Sequence, residues 1–268
     1  MACRNAYAVP TYSNVMDILG TVIKEIPTPE KVGRLLFGVC SEARADDHLQ
    51  NNLDQFEWVR RNKIYPNFWG RYLTGENALT VDEVKYLHGR GCKIAAIYRV
   101  KGPMRNEAAG EKAGRAAAAA SVALGIPSQT AIFLDVAAER VITRDFMRGY
   151  AKALMIEGYT PAFRANTDAK YCFDRAFSRG IHTDNDIFRK CLIWAVAPSV
   201  EEYDGMVTSH LIHPDIWMPF APSGITRADI AVWQYGAECH PIHNDAGQKN
   251  TFDLELVRNE QVIIQKMF

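Results

Sequence analysis

Asp135 closes an apolar run, Thr130-Ala-Ile-Phe-Leu-Asp-Val-Ala137. A carboxylate emerging from a buried strand loses hydration, which raises its pKa and suits it to proton donation. The same position equally suits a strand-end aspartate that accepts backbone N–H bonds or caps the next helix. Glu139 stands four positions on, as a second carboxylate or as a solvated loop charge. Glu42 is the acid nearest the end of an earlier run, Arg34-Leu-Leu-Phe-Gly-Val-Cys40. Cys40 has no histidine paired with it by any sequence pattern, so it reads as a packed thiol rather than a nucleophile.

Three arginines, Arg71, Arg99 and Arg164, interrupt strand-like apolar runs. A buried guanidinium needs an acidic or carbonyl partner. Each is therefore a structural ion pair or a clamp for polar groups of a substrate. Tyr98, Trp194, Trp233 and Tyr235 lie near run ends, where aromatic rings suit the apolar faces of sugars or simply fill core. Two His-x-x-His pairs, His210/His213 and His240/His243, match no zinc-protease or paired-cysteine pattern. The spacing thus predicts no metal site and no cofactor, and a metal-dependent hydrolase built on those pairs is the least supported of the functions weighed.

These residues need elements to hold them. Apolar runs 34–40, 67–73, 93–100, 130–137, 160–165, 191–197 and 229–235 alternate with helical stretches at 53–61, 80–87, 106–124, 144–157 and 169–179. Thr80-Val-Asp-Glu83 fits a capping box, the Ala-rich segment 106–124 has the best helix propensity, and Gly125, Gly158 and Gly180 read as stops. Strand followed by helix, repeated, predicts a parallel sheet. About eight repeats over this length predict an α/β chain folded as a (β/α)8 TIM-like parallel barrel with an irregular late region, 199–228. An open doubly wound sheet is the alternative. Phe252–Val257 either pairs with that sheet or begins a terminal element. Residues 1–30 read as a leader, with one helix over 15–25 ended by Pro27 and Pro29, and 31–268 as the barrel domain.

Lys plus Arg and Asp plus Glu both number 31, which removes the basic footprint of a dedicated nucleic-acid binder. Neither Gly-x-Gly-x-x-Gly after a strand nor a Walker pattern occurs, so nucleotide binding has no support. No signal-like start and no membrane-length apolar window is visible, and the six cysteines are scattered. Synthesis in a reducing cytosol, with no membrane partner, is the expectation. The place of action and the oligomeric state are not legible.

The order of several segments carries a resemblance. Phe68-Trp-Gly-Arg-Tyr-Leu73 precedes Leu79-Thr-Val-Asp-Glu83 and Gly91-Cys-Lys-Ile-Ala-Ala-Ile-Tyr98. Ala123-Leu-Gly-Ile-Pro127, Ile132-Phe-Leu-Asp135 and Gly158-Tyr159 follow, then Leu192-Ile-Trp194, Trp233-Gln-Tyr235 and Phe252-Asp-Leu254. Together, over roughly residues 34–257, they resemble the glycoside-hydrolase-like TIM barrels akin to the family 25 lysozyme-like muramidases. That resemblance implies a carbohydrate-facing barrel mouth. Asp135 matches the first acid of the family's fourth-strand Asp-x-Glu, while Ala137 stands at the second. Cys40 stands where the first-strand Gly-x-Asp has its acid. Gln234 and Asp253 match the late elements. The expected function is a glycosidase acting on peptidoglycan or another amino-sugar polymer. Its catalytic acid would be Asp135, with Glu42 or Glu139 replacing the missing partner, and Arg71, Tyr98, Arg164, Trp194, Trp233, Gln234 and Asp253 would bind substrate. The alternative is a carbohydrate-binding or scaffold barrel that has lost its catalytic acids.

Overall fold

The computed structural model describes residues 35–197, 206–207, 217–241, 251–258 and 263–268. The leader 1–30, most of the irregular region, and His210, His213 and His243 lie outside the described residues. Five strand–helix units run from β1 (Leu36–Cys40) and α1 (Gln55–Arg61) through β2 (Phe68–Tyr72), α2 (Val81–Gly89), β3 (Lys93–Arg99), α3 (Glu107–Ala123), β4 (Ala131–Val136), α4 (Arg144–Ile156), β5 (Thr160–Ala165) and α5 (Cys172–Thr183). A short α6 (Asn185–Phe188) leads into β6 (Leu192–Val196). The two-residue β7 (Met206–Val207), the long β8 (Ile230–Pro241) and β9 (Phe252–Val257) complete the set.

Strands β1 to β6 pair in parallel, each with the next. β6 pairs in parallel with β8, and β9 joins β8 to β1. The result is a closed eight-stranded α/β barrel of the TIM type, with β7 appended to the far end of β8. Phe252–Val257 is a barrel strand, and it runs antiparallel to both neighbours. Chain length explains the reversal. Only about ten residues separate Pro241 from Phe252, and a parallel return needs a crossover of a dozen or more.

Alternation along the strands fills the lumen with Phe68, Ile97, Phe133, Ala162 and Trp194. Trp194 meets Phe133 edge-on at 5.1 Å between centroids, and Phe68 at 6.5 Å. Gly38 makes room for this layer, since a Cβ there would sit 2.1 Å from the Phe68 ring. The C-terminal residues add to the core at the strands' starting ends. Ile263 and Met267 join the buried cluster, and Phe268 exchanges backbone hydrogen bonds with Ile94 at 2.7 and 3.0 Å.

Two local expectations change. Thr80 caps α2 by accepting from the Glu83 N–H, but the Glu83 carboxylate does not return to the cap. It bonds the Ala45 N–H and Arg71 instead, so half of the capping box is diverted to a buried ion pair. Gly180 does not stop its helix. It lies inside α5, where the missing side chain lets the Phe188 ring approach within 2.2 Å of the Cβ position. No helix among the described residues is long and apolar enough to cross a membrane.

Candidate functional site

Parallel strands bring their C-terminal ends to one rim, and the reversed β9 brings its N-terminal end there. Cys40, Tyr72, Arg99, Asp135, Arg164 and Asp253 consequently line one cavity of about 640 Å³. Its centre is Arg164. One of its terminal nitrogens, Nη1, donates to Asp135 Oδ1 at 2.7 Å. The other, Nη2, donates to Gln234 Oε1 at 2.5 Å and to Asp253 Oδ2 at 3.1 Å. The Arg164 guanidinium also lies over the Trp194 ring, 5.5 Å from its centroid.

Asp135 is held from three sides. Besides Arg164, its Oδ2 accepts from Arg99 Nε at 3.2 Å and from the Tyr72 hydroxyl at 3.2 Å. Burial alone would raise its pKa, but the charges and hydrogen bonds of Arg164 and Arg99 outweigh it and hold the carboxyl below its ordinary range. The expected desolvated proton donor is therefore a fixed carboxylate. Such a group can stabilise developing positive charge, orient a polar substituent or accept a proton; it does not donate one near neutral pH.

The other predicted residues divide between the mouth and the packing. Glu42 stands at the exposed rim, where Arg99 Nη2 donates to it at 2.9 Å. Glu139 is exposed and is not part of the cavity lining. Arg71 lies outside the cavity lining, in the structural ion pair that was its other reading. It is fully buried, donates to Glu83 at 2.7 Å, and spends its other nitrogens on the carbonyls of Ser41, Glu42 and Asn77. Trp194 is lumen core beneath Arg164, with its indole N–H on Glu255 at 2.7 Å. Trp233 packs against Trp217 and donates to the Ala197 carbonyl at 3.1 Å. Tyr98 is half-buried away from the cavity, between the inward neighbours Ile97 and Arg99. None of these three aromatics faces the mouth.

Tyr72, Tyr171 and Phe252 are the rings that line the cavity, and none was among the aromatics picked from run ends. Tyr72 could have been found by parity. It lies two residues beyond Gly70, whose Cβ position points at Trp194 and Cys40 in the lumen. The same parity places Glu255 on the face of β9 that carries Asp253. Burial raises the pKa of Asp253, of Glu255 and of the Cys40 thiol. Ligand-type atoms of Cys40, Asp253 and Glu255 lie within 4.8 Å of one another, the one grouping of this kind among the described residues.

This barrel has counterparts among known proteins. A sequence model described as the Rv2525c-like, glycoside hydrolase-like domain matches residues 65–249. The chain belongs to the Rv2525c-like, glycoside hydrolase-like family. No curated protein matches it. The crystal structure of an uncharacterised B. stearothermophilus protein is similar at 24% identity and a TM-score of 0.70, over 87% of this chain and all of that one. A bacterial lysozyme from Streptomyces coelicolor is similar at 10% identity and a TM-score of 0.52, over 86% of this chain and 98% of the lysozyme. The modular autolysin LytC of Streptococcus pneumoniae is similar at 12% identity and a TM-score of 0.50, over 84% of this chain and 47% of LytC. At these identities the solved structures show the fold alone.

Proposed function

We propose that this Rv2525c-like barrel binds an amino-sugar-containing polysaccharide at its mouth, peptidoglycan foremost, and cleaves it as a glycosidase. The observation that carries the reading is the state of Asp135, a buried carboxylate held charged by two arginines and a tyrosine at the floor of a cavity of sugar dimensions. Glycosidic cleavage passes through an oxocarbenium-like transition state. A preorganised carboxylate in a partly desolvated cavity stabilises that charge without reorganising. Tyr72 and Tyr171 supply rings and hydroxyls to a pyranose, and the half-exposed Arg99 supplies N–H donors to its polar substituents. Family membership and lysozyme-like fold neighbours support a carbohydrate partner.

A second reading, carbohydrate binding without turnover, is favoured by Ala137. It lines the cavity where the resembling muramidases place their second acid, and Glu139 does not replace it. One experiment separates the two. Purified peptidoglycan is incubated with the wild type and with Asp135→Asn, and both co-sedimentation and reducing-end release are measured. Release by the wild type that is lost in the variant supports the glycosidase. Co-sedimentation without release by either protein supports the binding barrel. Neither co-sedimentation nor release overturns both.

A further inference from the structure

We propose that Cys40, Asp253 and Glu255 form a binding site for a zinc-class divalent cation on the floor of the barrel mouth. The site goes beyond the glycan reading and does not depend on it. β1 and β9 are antiparallel with Cys40 directly opposite Asp253, and Glu255, two residues further along β9, shares the lumen face. The three ligand-type atoms lie within 4.8 Å of one another. Ligands around one zinc ion, at about 2.3 Å for sulfur and 2.0–2.2 Å for oxygen, stand roughly 3–4 Å apart. Small side-chain movements suffice to close on an ion.

Glu255 is the second, independent observation. It has no solvent exposure, and its Oε2 accepts from the Trp194 indole at 2.7 Å. Its Oε1 is buried without any hydrogen-bond partner. A buried carboxyl oxygen left in this state is costly, and a cation beside it removes the cost. The Arg164 guanidinium acts on Glu255 through its charge but donates no hydrogen bond to Oε1, and its own Nε is buried without a partner. Its Nη1 is spent on Asp135 and its Nη2 on Gln234 and Asp253. Trp194 fixes the Glu255 carboxylate by one oxygen, as outer-shell donors do for metal ligands, and Asp253 is oriented through both of its oxygens, Oδ2 by Arg164 and Oδ1 by the Glu238 N–H.

The donor set selects the ion. One thiolate with two carboxylates favours zinc or cobalt over magnesium and calcium, which prefer all-oxygen shells. Binding replaces the Cys40 thiol proton, and any proton on the two carboxyls, with the metal and releases those protons to solvent. Cys40 and Asp253 line the cavity, so the remaining coordination position opens to it.

The test uses the full chain, stripped with chelator and titrated with Co²⁺, whose bond to a thiolate gives a near-ultraviolet charge-transfer band. The expected result is that band, one equivalent of cobalt retained through gel filtration, and competition by Zn²⁺. Cys40→Ser loses the band, and Glu255→Gln weakens cobalt affinity at least tenfold while keeping it. Cys172→Ser and the double variant His210→Ala/His240→Ala bind as the wild type does. A wild type without the band or without retained cobalt overturns the site. So does a band that survives Cys40→Ser, or one lost in the histidine variant. If Cys40→Ser is not folded by circular dichroism, Glu255→Gln decides, and unchanged affinity overturns the site. No glycan is present at any step, so failure here leaves the glycan reading standing.

Discussion

Asp135 and Arg164 are register partners on the adjacent parallel strands β4 and β5, and their charged groups meet at 2.7 Å. Two neighbouring strands thus deliver opposite charges to the same level of the barrel, with the aromatic layer of Phe133 and Trp194 beneath them. The aspartate gains a permanent charge from this placement, and the arginine gains a position from which it also orders Gln234 and Asp253.

Removing that arginine takes the ion-pair partner from Asp253 and leaves Asp135 with Arg99 alone. Breaking one side of a buried ion pair typically costs about 3–5 kcal/mol. Arg164→Ala is expected to lose stability of that order in urea unfolding. Asp135→Asn in the same chain should recover part of the loss, because one under-paired charge is then gone. A double variant no better than the single one would show that Arg164 acts through packing on Trp194 instead.

Acid should weaken the fold through Asp135. Its folded-state pKa is depressed below the ordinary value of about 3.9. A depressed carboxyl contributes stability that is complete above the ordinary value and is lost as pH falls through the lower folded value. Wild-type urea midpoints should therefore fall more steeply below about pH 4 than those of Asp135→Asn. Parallel profiles for the two proteins would mean that the arginines do not hold the charge.

Arg71 predicts the opposite separation of stability and binding. It is wholly buried on Glu83 and three carbonyls, away from the cavity. Arg71→Met should destabilise the protein by about 3–5 kcal/mol, since the Glu83 carboxylate is left unpaired. At low temperature, the folded variant should still bind glycan with wild-type affinity. A selective loss of binding would return Arg71 to the site.

The barrel was legible because apolar runs and helical stretches alternate with glycine stops between them, a pattern few architectures satisfy. The cavity lining was legible where a charged residue ends such a run, as at Asp135 and Arg164. It was misread where adjacent residues were both assigned to the mouth. Trp233 and Gln234 are neighbours on one strand, and side chains alternate faces, so only one of them can reach Arg164. Tyr98 fails by the same rule beside Arg99, whereas Trp194 has the right parity but lies one layer too deep. The grouping of Cys40 with Glu255 joins opposite ends of the chain, and no spacing motif records such a contact.

Arg99 is the accessible arginine, and its replacement should separate recognition from stability. Its side chain is 44% exposed, with the guanidinium over the Tyr72 ring at 4.2 Å while it bonds Asp135 and Glu42. Ion pairs this exposed contribute up to about 1 kcal/mol, so Arg99→Ala should shift urea stability by no more than that. A hydrogen bond from a charged donor to a bound sugar carries about 1.5–3 kcal/mol, so glycan affinity should fall roughly tenfold to a hundredfold. Asp135 stays charged through Arg164, which keeps the rest of the mouth intact in the variant. Isothermal titration with soluble peptidoglycan fragments reads the affinity. An unchanged value would place the polar contacts of the ligand on the other side of the cavity, toward Tyr171 and Asn166.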